Sequence, residues 1–241
     1  MAKPFLSVIV PAYNEDRRIG PTLEKLVGYL TSRPFQWEVL VVDNGSDDAT
    51  ATVVESWASE VPQVLLESLP TAGKGLAVRH GMLRAKGEFR FMCDADMSMP
   101  VEHLDDFLDR MEEGYDIVIG SRQTEGARRF GEPLIRHLMG RVFNWVVRLV
   151  AVGGFEDTQC GFKMFRGDLA DEVFPLQRAT GFGFDVEVLF IAKQRGASIL
   201  EMPIDWHHEP SSKISPVADS VRMVMDYFLT RWRGFIGAYR K

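Results

Sequence analysis

Residues 5–15 read FLSVIVPAYNE, an apolar run that is interrupted by a proline and followed by polar residues. The same arrangement recurs at residues 37–46, WEVLVVDNGS, where a second apolar run leads into polar turn residues. Continuous apolar runs of this length are typical of strands that are buried on both faces of a parallel sheet. The two segments therefore predict an α/β fold.

Three further strands and four helices are expected within the first 120 residues. The remaining apolar runs lie at residues 63–67, 89–93 and 116–120. Helical patterns separate the runs, at residues 17–30, 47–60, 74–85 and 101–113. This alternation predicts a doubly wound, mostly parallel sheet with helices on both faces. In such a sheet the ligand lies beyond the carboxyl ends of the strands.

The pattern changes after residue 120. We expect a polar loop at 121–132, helices at 133–150 and 184–195, a strand at 198–204 and an amphipathic helix at 216–239. Residues 1–215 are interpreted as one catalytic domain. Residues 216–241 form a C-terminal amphipathic helix, which either packs on that domain or lies flat on a membrane surface.

Composition narrows the class of protein. A net charge of −6 argues against a nucleic-acid binder. Two segments are nonetheless basic, 122–148 and 213–241, and suggest an anionic ligand or lipid surface. The two cysteines indicate a reducing compartment. With no signal sequence and no run of 18 apolar residues, we expect a cytoplasmic protein that is soluble or peripheral on the cytoplasmic face of a membrane.

The clearest chemical signal is Asp94-Ala95-Asp96, directly after the predicted strand at 89–93. Residues i and i+2 of an extended segment point to the same side, so both carboxylates can address one cation. Mg²⁺ and Mn²⁺ prefer such oxygen ligands and share them with phosphates. The alternative is a pair of solvated acids or a cap for the helix at 101–113.

Two other segments suit a nucleotide. Residues 8–15 and 43–46 follow adjacent strands and offer backbone amides, an aromatic ring and carboxylates to a base and ribose; Asp43 is the candidate acceptor for a base N–H. A simple turn and cap is the alternative for 43–47. Gly73-Lys74-Gly75 opens a predicted helix, where glycines allow a phosphate to approach the backbone. Neither a P-loop nor a G-x-G-x-x-G motif is present.

These segments together resemble the family 2 glycosyltransferases, whose fold is called GT-A. Four further strings are similar to the polyprenyl-phosphate hexosyltransferases within that family, and most of all to the dolichyl-phosphate glucosyltransferase members. They are Gly120-Ser121-Arg122, Pro133-Leu134-Ile135-Arg136, Asp157-Thr158-Gln159-Cys160-Gly161-Phe162-Lys163 and Ser212-Lys213. The resemblance implies transfer of a hexose, glucose, from a nucleotide-diphosphate sugar such as UDP-glucose to a polyprenyl phosphate, with inversion.

The resemblance also implies roles for individual residues. The nucleotide sugar would be held by Pro11, Tyr13, Glu15, Asp43, Gly73, Lys74, Asp94, Ala95 and Asp96, and Lys213 would close over its diphosphate. Asp94 and Asp96 would bind Mg²⁺ or Mn²⁺. The acceptor phosphate would contact Arg122, Arg136 and Ser212. One departure is Asn44, where the family often has a second aspartate. A second departure is that the eukaryotic glucosyltransferase starts with a membrane anchor, so any membrane attachment here is expected from the two basic amphipathic helices.

A lipid phosphate is already anionic at neutral pH, so its transfer needs positioning arginines rather than a general base. Asp96, Arg122 and Asp157 are the catalytic candidates. Asp157 is expected to stabilise positive charge at the sugar or, for a hydroxyl acceptor, to act as the base. Alanine at Arg122 or Asp96 is expected to slow turnover about a hundredfold without affecting folding. The alternatives for these residues are a solvated basic face and a loop cap.

Competing functions stay open at this level. The acceptor could be a glycan or small-molecule hydroxyl, the enzyme could be a sugar-phosphate nucleotidyltransferase, or the protein could be an inactive nucleotide-sugar sensor. A nucleotidyltransferase would carry a glycine-rich basic signature after its first strand, where this chain has Pro11-Ala12-Tyr13-Asn14-Glu15. His207 and His208 are interpreted as loop histidines.

Overall fold

The computed structural model describes residues 3–131, 153–208 and 218–240. The strands in these ranges are β1 Leu6–Ala12, β2 Trp37–Asn44, β3 Val64–Leu69, β4 Phe89–Met92, β5 Ile117–Ser121, β6 Arg128–Phe130, β7 Lys163–Arg166, β8 Ile199–Pro203 and β9 Asp205–His207. The helices are α1 Ile19–Thr31, α2 Thr50–Glu60, α3 Lys74–Arg84, α4 His103–Glu112, α5 Gly167–Val173, α6 Phe184–Gln194 and α7 Ala218–Phe235, with a short 3₁₀ turn at Phe174–Leu176.

Seven strands form one sheet in the order β3-β2-β1-β4-β7-β5-β8. All neighbours pair in parallel except β7, which runs antiparallel between β4 and β5. This confirms the mostly parallel sheet expected from the sequence. Strands β6 and β9 form a separate parallel pair, and β6 lies where only a loop was expected.

Helices cover both faces of the sheet, as buried parallel strands require. Side chains of a strand alternate between faces, so Val8 and Val10 of β1 pack in the layer of α1, α2 and α4, whereas Ile9 packs in the layer of α3, α5, α6 and α7. Every residue of β1 is buried. The doubly wound arrangement is therefore confirmed within the described ranges.

Helix α7 packs on the domain. Its inner face consists of Met223, Tyr227, Thr230 and Gly234, all buried. A Cβ added at Gly234 would lie 2.5 Å from the ring of Phe190 in α6, so the two helices are in close contact. The predicted helix at 133–150 lies outside the described residues. Within the described parts of the chain, no helix has both the length and the hydropathy needed to cross a membrane.

Candidate active site

Polar residues collect at one edge of the sheet, where the parallel strands end. Tyr13 follows β1, Asp43 and Asn44 end β2, Asp94 lies two residues beyond β4, and Arg122 follows β5. Strand β7 runs the other way, so its first residue, Lys163, reaches the same edge and pairs with Met92 of β4. This edge is where ligands bind in doubly wound sheets, and it is the candidate active site.

The loops after β1 and β2 hold one another in place. Asp43 accepts hydrogen bonds from the hydroxyl and, at 3.3 Å, the backbone amide of Ser46. Ser46 Oγ in turn accepts from the amide of Asn14 at 2.8 Å. Asn14 has a φ of +54°, and its side chain accepts from the amide of Asp47 at 2.8 Å. The turn proposed as an alternative for 43–47 is therefore present, and Asp43 is buried beneath it.

Three residues in or just after β1 were also assigned to the nucleotide, and they differ in burial and in contacts. Pro11 is buried within β1, opposite Val42. Tyr13 is partly exposed at the edge. Glu15 forms an ion pair with Arg18 at 2.5 Å, and its amide donates to Thr50 Oγ1 at 2.7 Å. The ring of Tyr13 is thus accessible at this edge, while the Glu15 carboxylate has a partner within the protein.

Asn44 connects three segments of this edge. Its side-chain amide donates to the carbonyl oxygen of Ala12 at 2.8 Å, and its side-chain oxygen accepts from the amide of Gly73 at 2.9 Å. Asn44 is buried. An aspartate has no side-chain N–H to donate to the carbonyl of Ala12. This hydrogen bond therefore explains why the chain has asparagine at position 44, where the resemblance implies that an aspartate is common.

Lys74, at the start of α3, forms an ion pair with Asp94, with Nζ 2.6 Å from Oδ1. Burial disfavours the charge, but the carboxylates of Asp94 and Asp185 outweigh it and raise the pKa of Lys74 to about 12. Burial likewise opposes ionisation of Asp94, yet Lys74 holds the pKa of Asp94 below its ordinary value. Both groups are therefore charged at neutral pH.

Gly73 and Gly75, on either side of Lys74, have a packing role that the sequence did not predict. A Cβ at Gly73 would lie 2.8 Å from the carbonyl oxygen of Thr180, and one at Gly75 would lie 2.6 Å from that of Ala179. The space that the glycines leave is thus filled by the backbone of residues 179–181, and Thr180 also accepts from the amide of Leu76 at 3.2 Å. Both glycines are thus required by this backbone contact, whereas the approach of a phosphate to them stays a prediction; Lys74 itself lies at the edge.

The Asp94-Ala95-Asp96 segment forms a tight turn after β4, closed by the amide of Met97 donating to the carbonyl of Asp94 at 3.1 Å, so the extended conformation expected from the sequence was wrong. Asp96 accepts from the hydroxyl of Ser98 at 2.6 Å and from its amide at 3.2 Å, and the carbonyl of Ala95 accepts from Thr22 at 2.8 Å. Met97, which follows, has a φ of +46°. Burial, and secondly the charge of Asp94, raise the pKa of Asp96. The two carboxylates are therefore close enough to repel one another.

This donor set fits a hard divalent cation. Two carboxylates that repel one another gain stability from a cation between them, and Mg²⁺ or Mn²⁺ takes the rest of its ligands from water and phosphate. In the described residues there is no cluster of three or more His, Cys, Asp or Glu side chains able to hold a metal. Asp94 and Asp96 are thus the residues that would hold the ion, together with ligands from outside the protein.

Gly161 fixes the position of the Asp94 carboxylate. A Cβ at Gly161 would lie 1.8 Å from Oδ2 of Asp94, closer than any real contact. Gly161 precedes β7, whose antiparallel direction brings it to the end of β4. Any side chain at this position would displace Asp94, so the glycine is required by the site rather than by backbone conformation.

Arg122 and Asp157 form a forked ion pair. Nε and Nη2 of Arg122 lie 2.6 Å and 2.8 Å from the two oxygens of Asp157, and the Arg122 amide donates to Oδ2 at 3.0 Å. Asp157 is 0% exposed. Burial alone would raise its pKa, but Arg122 holds the pKa of Asp157 below its ordinary value. Asp157 is therefore a poor proton acceptor, contrary to the base role considered from the sequence.

Sequence reasoning missed a second buried pair. Lys163 is fully buried, and its Nζ donates to Asp185 Oδ1 at 2.5 Å and to the carbonyl of Cys160. Its charge also helps to lower the pKa of Asp94. The sequence does contain a signal for this pair, because Lys163 lies inside the apolar segment Cys160–Phe165. A lysine buried with such a segment needs a partner of opposite charge. That partner, Asp185, is in the first turn of α6.

Three predicted site residues, Arg136, Ser212 and Lys213, lie outside the described residues. His207 lies in strand β9, where it pairs with Phe130 and stacks on it with ring centroids 4.6 Å apart, so its interpretation as a loop histidine was wrong. His208 directly follows the strand, as interpreted, and contacts Trp206.

The fold is that of solved glycosyltransferases. Glucosyl-3-phosphoglycerate synthase from Mycobacterium tuberculosis, in complex with Mn²⁺, uridine diphosphate and glucosyl-3-phosphoglycerate, superposes with a TM-score of 0.71 over 94% of this chain and 80% of that one, at 17% identity. The same synthase with Mn²⁺, UDP-glucose and phosphoglyceric acid gives a TM-score of 0.70. These matches confirm a GT-A fold, and the fold and the paired carboxylates together define a class, the GT-A glycosyltransferases.

The chain belongs to glycosyl transferase family 2, whose family model matches residues 7–174. A dolichyl-phosphate beta-glucosyltransferase of Trichomonas vaginalis is 35% identical over 92% of this chain and 69% of the relative. The human dolichyl-phosphate beta-glucosyltransferase is 33% identical over 98% of this chain and 77% of the relative. Family membership confirms the resemblance drawn from the motifs and argues against a nucleotidyltransferase.

Proposed function

We propose that this chain transfers glucose from UDP-glucose to a polyprenyl phosphate of the dolichyl type, with inversion and with Mg²⁺ or Mn²⁺ as cofactor. The observation that carries the proposal is the arrangement of Lys74, Asp94 and Asp96 at the end of β4, beside the Arg122–Asp157 pair. Relatives with dolichyl-phosphate glucosyl transfer in their names share 32–35% identity with the chain, which supports this choice of donor sugar and acceptor.

Around the donor sugar nucleotide, the protein supplies positive charge to the diphosphate, directly from Lys74 and through the cation that Asp94 and Asp96 would hold. Lys74 stays protonated at neutral pH because its pKa is raised to about 12, so it can balance a diphosphate. Asp94 and Asp96 would hold the divalent cation, which supplies neutralisation of the charge that develops on the leaving diphosphate. Tyr13 and Asp43 are proposed to contact the nucleoside, and Lys213 is proposed to close over the diphosphate.

On the acceptor side, Arg122 still has hydrogen-bond donors to offer. A guanidinium carries five N–H groups, and Asp157 accepts from two of them. The remaining three, on a side chain that is partly exposed, can bind an acceptor phosphate. Asp157 orients Arg122. Arg136 and Ser212 are proposed to contact the same phosphate.

The reaction then requires no proton transfer. An anionic oxygen of the lipid phosphate forms a bond to C1 of the sugar, the bond between C1 and the donor diphosphate breaks, and the nucleoside diphosphate leaves with the electron pair. A hydroxyl acceptor would need a base, and the low pKa of Asp157 makes that carboxylate unsuited to the task. The buried pair therefore favours a phosphate over a hydroxyl acceptor.

The test is an assay with radiolabelled UDP-glucose, Mn²⁺ and a short-chain polyprenyl phosphate that dissolves in water. We expect a charged glucolipid by thin-layer chromatography, with the β configuration at C1 by NMR. GDP-mannose and a polyprenol without phosphate are the matched substrate controls. No product with any of several sugar nucleotides, or equal transfer to the polyprenol, would contradict the proposal.

A further inference from the structure

Helix α7 carries a second apolar face, opposite the one that packs on the domain. This outer face consists of Val221, Met225, Phe228, Leu229, Trp232 and Phe235, which are between 42% and 84% exposed. Isolated exposed apolar residues are common on protein surfaces, but a continuous stripe along one helix indicates an interaction surface.

The geometry of the helix separates the two faces. At 100° per residue the outer face covers an arc of about 120°, centred roughly opposite Met223, Tyr227, Thr230 and Gly234. Exposed arginines border the outer face on both sides: Arg222 adjoins it next to Leu229, and Arg231 adjoins it next to Phe235. The acidic side chain of Asp226, in contrast, lies on the inner side against Gly183.

We propose that the outer face of α7 binds the surface of an anionic lipid bilayer, with its aromatic residues among the acyl chains and Arg222 and Arg231 at the headgroups. A helix with an apolar stripe bordered by cations is the arrangement that lies in a membrane interface, and negative headgroups complement its charge. A second copy of the chain fits less well, since pairing two outer faces would bring their bordering arginines together.

The inference rests on the proposed function, because it places the enzyme where a polyprenyl phosphate is found. Hydrogen bonds from Arg233 at the end of α7 and from Tyr239 just beyond it connect the helix to the site. Glu187 of α6 is fully buried and accepts from the hydroxyl of Tyr239 at 2.5 Å and from Arg233 at 3.4 Å. The same carboxylate accepts from the amides of Arg178 and Ala179, which lead into the segment packed beside Lys74. A bilayer bound to α7 is therefore held at a fixed position relative to the site.

Vesicle flotation of the full chain tests the surface directly. We expect the wild type to float with vesicles of phosphatidylcholine and phosphatidylglycerol, and less with phosphatidylcholine alone. Trp232→Glu combined with Phe235→Glu should lower the bound fraction by about tenfold or more, because both side chains are exposed and the charges cannot enter the acyl region. Leu83→Glu, at an equally apolar exposed position of α3, is the control and should bind as the wild type does.

Three results would overturn the proposal: flotation unchanged in the double variant, flotation that does not depend on phosphatidylglycerol, or a wild-type dimer that the double variant dissociates while flotation persists. Activity measurements with two kinds of acceptor distinguish a failure of this proposal from a failure of the proposed function. The double variant should lose activity only toward long-chain acceptor embedded in vesicles and keep wild-type activity toward the water-soluble short-chain acceptor. An equal loss on both acceptors would contradict the membrane surface, whereas inactivity of the wild type on both would contradict the proposed function alone.

Discussion

Replacing Arg122 with alanine should destabilise the protein as well as inactivate it. Asp157 is 0% exposed, and its carboxylate faces the Nε and Nη2 atoms of Arg122 at 2.6 Å and 2.8 Å. Removing the guanidinium leaves a buried carboxylate with no other described cation at ion-pair distance. The expectation from sequence, that this variant folds normally, does not hold for a pair buried in this way.

The magnitude follows from what remains after the substitution. Removing one partner of a buried ion pair costs about 3–5 kcal/mol of unfolding free energy. The backbone amides of Arg122 and Gln159 still donate to Asp157, at 3.0 Å and 3.3 Å, so we expect the lower end, about 3 kcal/mol. An exposed ion pair contributes only about 0–1 kcal/mol. Arg110→Ala, which removes a half-exposed pair with Glu113, is therefore the control.

The loss should depend on pH. In the wild type the pKa of Asp157 lies below its ordinary value, so the pair stabilises the fold above that ordinary value and the stabilisation disappears as the pH falls through the lowered pKa. Without Arg122, burial dominates and the pKa of Asp157 rises above its ordinary value. The variant's carboxyl then prefers to be neutral, and the deficit relative to the wild type shrinks as the pH is lowered.

Urea unfolding of both proteins at about pH 7 and about pH 5 measures the deficit. Asp157→Asn added to Arg122→Ala should recover part of the lost stability at the higher pH, because it removes the stranded charge. A deficit under about 1 kcal/mol that is the same at both values of pH would show that the pair behaves as a solvated one. That result would refute the argument that Asp157 is too well paired to act as a base.

Three further substitutions test other parts of the site. Gly161→Ala should lower activity about a hundredfold by displacing Asp94; Gly28→Ala, with nothing within 4 Å, is the control, and normal activity of the first variant would contradict the packing. Asn44→Asp should lower the free energy of unfolding by about 2 kcal/mol in urea titrations, because it places a carboxylate against the carbonyl of Ala12; an unchanged midpoint would contradict this. Asp96→Asn should keep its bonds to Ser98 and the wild-type melting temperature but lose about a hundredfold in Mn²⁺-stimulated turnover. A chelator should abolish turnover of the wild type and have little further effect on the variant, and equal stimulation of both proteins by Mn²⁺ would contradict the role of Asp96.

Most of the sheet could be predicted from the sequence because its strands are locally encoded. The buried runs that became β1, β2, β4 and β5 are each continuous, apolar and bounded by turn residues. Strand β7 could not be predicted in this way. It has only four residues, it begins and ends with a basic residue, and its first side chain is buried only because Asp185, twenty-two residues later, neutralises it.

In the candidate site, too, features that a local sequence pattern encodes could be predicted, and contacts between distant segments could not. The position of Asp94 and Asp96 at a sheet edge followed from the strand before them, which is a local signal. The pairing of Arg122 with Asp157 spans 35 residues and no local pattern encodes it. The packing role of the glycines flanking Lys74 could not be predicted for a related reason: the backbone that fills their space comes from a segment about a hundred residues further along the chain, which only the fold brings into contact.

The charges at this edge favour Asp96 in particular as the place for the proposed divalent cation. The cluster contains three basic groups and four carboxylates: Lys74, Arg122 and Lys163 with Asp94, Asp96, Asp157 and Asp185. Three carboxylates each form an ion pair with one of the basic groups. Among the described residues, only Ser98 donates hydrogen bonds to the fourth, Asp96, and its pKa is raised accordingly. The cluster thus carries one uncompensated negative charge. A divalent ion beside Asp96 would turn this into one positive charge that attracts the diphosphate of a donor, whereas a lysine side chain paired with Asp96 would only make the cluster neutral.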